Sequence, residues 1–130
     1  MVASNSAYKE SIITLFHLIS MVDGKLSEKE EKLRSLIMMH ENITDKEFQE
    51  SVHKLSSYSN QEIYELGVNK LKKCDPESQI RALAWLRNLA NAGGFMGQGE
   101  WKIIYQIYKN ELNLNLKDII SHELPQISLL

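Results

Sequence analysis

Apolar residues recur along most of the chain at spacings of three and four, the period of an α-helix that buries one face. The first such stretch predicts a largely buried helix that ends at the turn pair Asp23-Gly24. Its stripe consists of Tyr8, Ile12, Ile13, Leu15, Phe16, Ile19 and Val22. No stretch shows the period of two that is typical of a half-buried strand. The pattern therefore predicts an all-α fold.

The other helices are predicted from their start signals, which are N-cap side chains, capping boxes and a first-turn proline. In chain order these signals lie at Ser27, Thr44, Asn60, Asp75-Pro76, about Glu100, and Asn115. The fifth helix is apolar on much of its circumference, so we expect it to be central. The glycines between Gly93 and Gly99 are expected to form a flexible loop. The result is a bundle of about seven helices.

The chain also contains a weak internal repeat at an offset of 70 positions. This shift lays Asp23-Gly24 on Gly93-Gly94 and Glu30 on Glu100, and the apolar positions of the flanking helices follow the same offset. We interpret the pattern as a duplicated helix-loop-helix unit. A pseudo-twofold arrangement of the two copies is the predicted architecture.

Length and composition fit one domain. The chain has 130 residues and 15.0 kDa, of which 43% are hydrophobic and 25% charged. We predict a single domain over residues 1–130, with a core at about 5–123 and a C-terminal tail at 124–130. The formal charge of −2 argues against a nucleic-acid partner, because such binders usually carry a basic excess.

Cysteine content and hydropathy indicate in which cellular compartment the protein is expected. Cys74 is the only cysteine, which excludes an intramolecular disulfide and a cysteine-based zinc cluster. No segment approaches the ~20 continuous apolar residues of a transmembrane helix. A cytoplasmic protein without a transmembrane segment is therefore expected, and peripheral membrane association stays open.

The acidic turn after the first helix partly matches a calcium-binding loop. From Gly24 onward the spacing Gly-x-Leu-x-x-x-Glu, ending at Glu30, reproduces the second half of an EF-hand. The first half does not fit, since Ile19 and Met21 occupy loop positions one and three and have no side-chain oxygen. An ordinary EF-hand is excluded.

The same residues support a different resemblance. The pattern Asp-Gly-x-Leu-x-x-x-Glu resembles the tellurite-resistance TerB-like family, which includes DjlA-N-terminal-like all-helical domains. The resemblance runs through 21–30 and again through 90–100, within roughly 11–113 of the chain. The second copy departs from the pattern at Gly93, where the family usually has Asp. The family is tied to tellurite and metal stress and to membrane-associated or chaperone-linked assemblies, without an established enzymatic activity.

Carried over onto this sequence, the motif implies that Asp23, Glu30 and Glu100 are metal ligands. If the two turns approach one another, the three carboxylates would share a weakly held divalent cation, Ca²⁺ or Mg²⁺. The alternative is structural, because Asp before Gly commonly makes a turn and Glu at the third helical position commonly completes a cap. No other cofactor is expected.

The histidines, the cysteine and the aromatic residues give weaker indications of a functional site. The four histidines lack the spacing of a zinc site, and Cys74 is expected to be a small buried or edge residue. Helical spacing assigns Trp85, Trp101 and Tyr105 mostly to the core. The residues that we expect to be exposed and to contact a partner are instead Phe95, Met96 and the apolar tail Ile127 to Leu130.

The function expected from these observations is a non-enzymatic, TerB-like binding or scaffold module with a protein partner and a candidate cation site. Two alternatives stay open. One is an enzyme with an unrecognised pocket between the helical halves. The other is a structural domain that forms a homodimer through an exposed apolar patch.

Overall fold

The computed structural model describes the backbone of residues 2–23, 28–91 and 98–127, and the side chains of residues 6–21, 28–91 and 99–123. These residues form seven α-helices and no strand, which confirms the all-α prediction. In chain order the helices are α1 (Val2–Asp23), α2 (Glu28–His40), α3 (Asp45–Lys54), α4 (Asn60–Lys72), α5 (Pro76–Asn91), α6 (Gln98–Tyr105) and α7 (Leu116–Ile127). A short 3₁₀-helix follows α3, and a π-helix, Gln106–Glu111, continues α6.

Two helices lie at the centre of the bundle. Helix α1 packs against α3, α4, α5 and α6, and α5 packs against α1, α2, α6 and α7. Both are apolar on most of their circumference, so they are buried by neighbours on several sides. Nine consecutive residues of α5, from Ala82 to Ala90, are buried. The predicted burial of the first helix and the central position of the fifth are thus confirmed.

The tightest approach between helices lies where α1 crosses α4. A Cβ atom added to Gly67 would lie 2.7 Å from Leu15 Cδ2 and 3.2 Å from Thr14 Cγ2. Leu15 is fully buried, so it has little room to move. Glycine at this position therefore lets the two backbones approach.

Capping residues set the helix starts. Thr44 caps α3 through a complete capping box with Glu47, as predicted. The prediction for α4 was wrong by one position, because Ser59 rather than Asn60 is the cap and Glu62, three residues later, completes its box. The Asn115 side chain accepts a hydrogen bond of 2.8 Å from the backbone N–H of Lys117, which confirms the predicted cap of α7.

Two helical segments end in a left-handed residue. Asn42, with φ of 57°, follows α2, and the backbone N–H of Ile43 donates to the carbonyl of Met38 across 2.8 Å. This is the Schellman arrangement, which satisfies the last carbonyls of a helix. Asn113, with φ of 52°, ends the π-helix, where the N–H of Leu114 donates to Tyr108.

A π-helix lies between α6 and α7. Its wider turn is closed by a hydrogen bond of 3.0 Å from the N–H of Leu112 to the carbonyl of Ile107. Ile107 and Tyr108 are both buried, and Glu111 is turned toward Tyr64 on α4. Such segments are rare and frequently occur at functional sites.

The internal repeat stays a prediction. Helices α2 and α6 do begin 70 residues apart, at Glu28 and Gln98. The predicted hinges, including Gly24, the Gly93-Gly94 pair, Phe95 and Met96, lie outside the described residues. Gly99 is in the first turn of α6 rather than in a loop. Helix α7 continues to Ile127, four residues into the stretch predicted as a tail. Among the described helices, none is both long and apolar enough to cross a bilayer.

Candidate functional site

The two hinge glutamates are buried. Glu30 lies in the first turn of α2 with 3% of its surface exposed, and Glu100 lies in the first turn of α6 with 4% exposed. Glutamate is almost never this buried unless its charge is paired, and each of the two takes part in an interaction within the protein. The positions that the repeat pairs are therefore equally buried.

The third predicted ligand, Asp23, is the last residue of α1, and its side chain lies outside the described residues. Among the side chains that the structure does describe, no three His, Cys, Asp or Glu residues are grouped so as to hold a metal ion. A cation shared by Asp23, Glu30 and Glu100 stays a prediction. The match of residues 24–30 to the second half of an EF-hand does not by itself establish this shared cation site.

A buried polar network joins α1, α5 and the end of α2. The Glu41 carboxylate accepts hydrogen bonds from the Tyr8 hydroxyl at 2.8 Å, from Arg81 Nη2 at 2.9 Å and from Trp85 Nε1 at 2.8 Å. Arg81 Nε also donates to the Tyr8 hydroxyl at 2.8 Å, and its guanidinium lies 4.6 Å from the centre of the Tyr8 ring. Helices α1 and α5 are thereby both fixed to the carboxylate that follows α2.

The backbone turn after α2 positions Glu41 for this role. Glu41 immediately precedes the left-handed Asn42, so the chain reverses there and the carboxylate lies against α1 and α5. Burial and the Glu41 charge raise the pKa of Tyr8 well above its ordinary value. The phenol is therefore held neutral as a hydrogen-bond donor, which is a structural role.

A second buried pair connects α5 to α7. Arg87 Nε lies 2.7 Å from Glu123 Oε2, and the Arg87 guanidinium lies 4.9 Å from the centre of the Trp101 ring on α6. Arg87 Nη1 is buried and has no hydrogen-bond partner among the residues that the structure describes. Burial raises the pKa of Glu123 and outweighs the opposing effect of Arg87. Arg87 thus contacts both C-terminal helices.

A third polar cluster surrounds the π-helix. Tyr64 donates to Glu111 at 3.1 Å, and Lys72 pairs with Glu111 at 3.0 Å. Lys72 lowers the pKa of Glu111, while burial and Glu111 raise that of Tyr64. These contacts attach the wide turn to α4.

The aromatic residues divide between core and surface. Trp85 is buried as predicted, but the assignment of Trp101 and Tyr105 to the core was wrong, because they are 38% and 48% exposed. On α7, Leu116 and Ile120 are 36% and 40% exposed. We call these four residues the α6–α7 surface. Helical spacing did not reveal their exposure, since it depends on how far the neighbouring helices extend.

Two further titratable side chains, Cys74 and His17, are fully or partly buried. Cys74 is buried, as predicted, and burial raises the pKa of its thiol. Burial also lowers the pKa of His17, which is half-buried on α1. A protonated thiol and a neutral imidazole are the forms that the fold favours.

Two shallow pockets lie between helices. One, of about 320 Å³, lies between α1 and α3, with Lys9, Glu47 and Lys54 in its walls. The other, of about 250 Å³, lies between α4 and α6, with Tyr64, Lys102 and Gln106 in its walls. In the first pocket, Lys9 Nζ lies 3.9 Å from a carboxylate oxygen of Glu47. In the second, the hydroxyl of Tyr64 donates a hydrogen bond to Glu111.

Comparison of the chain with models of protein families, with curated proteins and with solved structures gave no match. The resemblance to the TerB-like family therefore rests on the motif alone.

Proposed function

We propose that this chain is a non-enzymatic binding and scaffold module of TerB-like type that acts through contacts with a protein partner. The observation that carries the proposal is the α6–α7 surface. Single exposed apolar residues are ordinary, but here α6 and α7, which both pack on α5, each expose two large apolar side chains one helical turn apart. Aromatic side chains are enriched at protein–protein interfaces, and exposed apolar patches mark interaction sites.

The state of the candidate nucleophiles supports a non-enzymatic role. The Cys74 thiol is buried and has a raised pKa, whereas a catalytic thiol needs a lowered one. The Tyr8 and Tyr64 phenols have raised pKa values and are engaged with Glu41 and Glu111. Burial, followed by the neighbouring carboxylates, accounts for both raised pKa values.

The TerB-like assignment and its link to tellurite or metal stress are supported by the buried glutamates. Glu30 and Glu100 occupy first turns of helices that begin 70 residues apart, as the motif predicts. Together with Asp23 they form the candidate cation site. Carboxylate oxygens are the ligands that hard cations such as Ca²⁺ and Mg²⁺ prefer.

Protein binding is tested by photo-crosslinking in cells of the source organism. A photoreactive phenylalanine analogue is placed singly at Met39, Tyr58 and Tyr105, which lie on different helices or loops and are all substantially exposed. We expect a specific protein adduct from at least one position. Illumination that gives no specific adduct from any of them would contradict the binding role.

Cation binding is tested by thermal unfolding in EDTA, Ca²⁺ and Mg²⁺. A ligand bound only by the folded state adds about 2.7 kcal/mol at a hundredfold excess over its Kd. We expect Asp23→Asn, Glu30→Gln and Glu100→Gln each to remove the metal-dependent rise in Tm. The control is Glu28→Gln, an exposed acid of the same helical turn as Glu30. A melt that no cation shifts would remove the cation from the proposal.

The stress link is tested by deleting the gene and measuring growth on tellurite. We expect greater sensitivity in the deletion strain and rescue by the wild-type chain. Equal growth of the parent and deletion strains would contradict the link without affecting the binding role.

A further inference from the structure

The pocket between α4 and α6 has the size of a site for a small molecule. Its volume is about 250 Å³, slightly below the range of about 300–1,000 Å³ that is usual for drug-sized ligands. Both helices pack on α1, and Leu18 of α1, which is 1% exposed, lies at the base between them. We call this space the α4–α6 pocket. Its lining residues are Leu18, Asn60, Gln61, Tyr64, Lys102, Ile103 and Gln106.

Lys102 carries the only formal charge in this lining. It is exposed on α6 and forms no salt bridge with the described residues. Two acids of α4 are near the pocket in sequence, Glu62 and Glu65, but neither belongs to the lining, and both already accept a hydrogen bond near the start of α4. Glu100 precedes Lys102 by two residues, so it lies on a different face of α6. The lining therefore favours an anion over a cation.

The lining also offers hydrogen-bond donors that the protein itself does not use. The side-chain amides of Asn60 and Gln106 form no hydrogen bond with the described residues. The Tyr64 hydroxyl gives its only hydrogen to Glu111, so toward a ligand it can only accept. The donors left for a ligand include the Lys102 ammonium and the two amide groups. An ionised carboxylate, which only accepts hydrogen bonds, complements them.

The π-helix fixes one wall of the pocket. Gln106 is its first residue and lies one helical turn from Lys102, on the same side of α6. Glu111, from the same wide turn, accepts the Tyr64 hydroxyl at 3.1 Å and pairs with Lys72 at 3.0 Å. The Tyr64 ring is thus held in the wall by contacts within the protein. A preformed wall reduces the entropy that is lost when a ligand binds.

We propose that the α4–α6 pocket binds a small organic monocarboxylate with a short apolar body. Its carboxylate pairs with Lys102 and accepts hydrogen bonds from the amides of Asn60 and Gln106. Its apolar body lies against Leu18 and Ile103. This site is separate from the α6–α7 surface and from the candidate cation site, so the proposal goes beyond the proposed function.

The composition of the lining selects a carboxylate from the related ligand classes. One ammonium matches a single negative charge, whereas a phosphate dianion is usually held by an arginine fork or by several backbone N–H groups. A metal cation would need carboxylate or carbonyl ligands, and the lining contains no carboxylate. The apolar side chains beside the charge favour a ligand with a hydrocarbon body over a bare ion.

Titration of the whole chain, followed by backbone amide NMR shifts, tests the proposal. The probes are hexanoate and benzoate, which carry the same head group on an aliphatic and an aromatic body. We expect at least one of them to bind with a Kd of about 1 mM or tighter and to shift the amides of 60–64 and 102–106. Hexanamide and benzamide have nearly the same shape without the charge. They should bind about tenfold more weakly, because they lose the ion pair with Lys102.

Substitutions of lysine locate the charge that the ligand meets. Lys102→Gln should weaken binding of the carboxylate about tenfold, the effect of losing one charged hydrogen bond, whereas Lys102→Arg should keep most of the affinity. The matched control is Lys109→Gln, an exposed lysine of the π-helix outside the lining, which should bind like the wild type. Both positions are exposed, so Tm values near that of the wild type confirm that the variants are folded.

Four results would overturn the proposal. They are no saturable shift with either carboxylate, equal affinity for the neutral amides, tighter binding of hexyl phosphate or hexylamine than of hexanoate, and wild-type affinity in Lys102→Gln. Shifts confined to the other pocket, between α1 and α3, would also overturn it. None of these results bears on the protein contacts, which crosslinking tests separately.

Discussion

Trp85 donates its indole N–H to the Glu41 carboxylate across 2.8 Å, although 44 residues separate them in the chain. The contact fixes the end of α2 to the central helix α5. Tyr8 and Arg81 share the same carboxylate, so one acid accepts from donors on two helices, α1 and α5.

Glu41→Ala is expected to destabilise the protein by about 3 kcal/mol. The change leaves the buried Tyr8 hydroxyl and Trp85 N–H without their acceptor, and buried groups that lose a charged partner cost several kcal/mol. Loss of the Arg81 contact adds less to this destabilisation, because the Arg81 side chain is 46% exposed. Urea unfolding measures the change, and the exposed Glu50→Ala on α3 is the control, expected within about 0.5 kcal/mol of wild type. A loss below about 1 kcal/mol would show that the network is not structural.

Gly67→Ala is expected to lower the free energy of unfolding by about 1–2 kcal/mol, although alanine favours a helix. The added methyl group would lie 2.7 Å from the buried Leu15 side chain, which must shift. Chemical denaturation of Gly67→Ala, Leu15→Val and the double variant tests the cause. The smaller valine should recover part of the loss, whereas strictly additive effects would rule out this clash.

Substitution of Asn42 separates backbone strain from side-chain contacts. At φ of 57° alanine is strained, so Asn42→Ala should cost about 1 kcal/mol, while Asn42→Gly should be near neutral. Thermal unfolding of the two variants gives the comparison. Equal destabilisation by both would show that the amide side chain, and not the left-handed backbone, matters here.

His17 should make stability fall in mild acid. Its folded-state pKa is lowered by burial, so the folded protein favours the neutral ring. The resulting contribution to stability is complete above the unfolded pKa of about 6.5 and is lost as the pH falls through the lower folded value. His17→Gln should therefore show a smaller decline in urea midpoint between about pH 7.5 and about pH 5. If the urea midpoints of wild type and variant fall equally with pH, His17 is not the group that causes the decline.

The sequence predicted those features that depend on local chemistry. Seven helices, the Thr44 and Asn115 caps and the burial of α1 follow from apolar spacing and from side chains that satisfy the first backbone N–H groups. The prediction that Asn60 caps α4 was wrong because serine and asparagine are both favoured N-cap residues. Only the glutamate three residues after Ser59 distinguishes them.

The site was harder to predict, because it depends on contacts between distant segments. The network at Glu41 combines residues from α1, α5 and the turn after α2, and no spacing in the sequence brings them together. The exposure of Trp101 depends on how much of it Arg87 covers from α5. The repeat paired Glu30 with Glu100, but their burial was not predicted.

The π-helix gives the second copy of the predicted repeat one residue more than the first. The starts of α2 and α6, Glu28 and Gln98, are 70 residues apart, but the left-handed residues that end these segments, Asn42 and Asn113, are 71 apart. The difference is what a single inserted residue would produce, absorbed as a wide turn at Gln106–Glu111 while the capping geometry beyond it is kept. An alignment of the two copies should therefore open its gap within that turn.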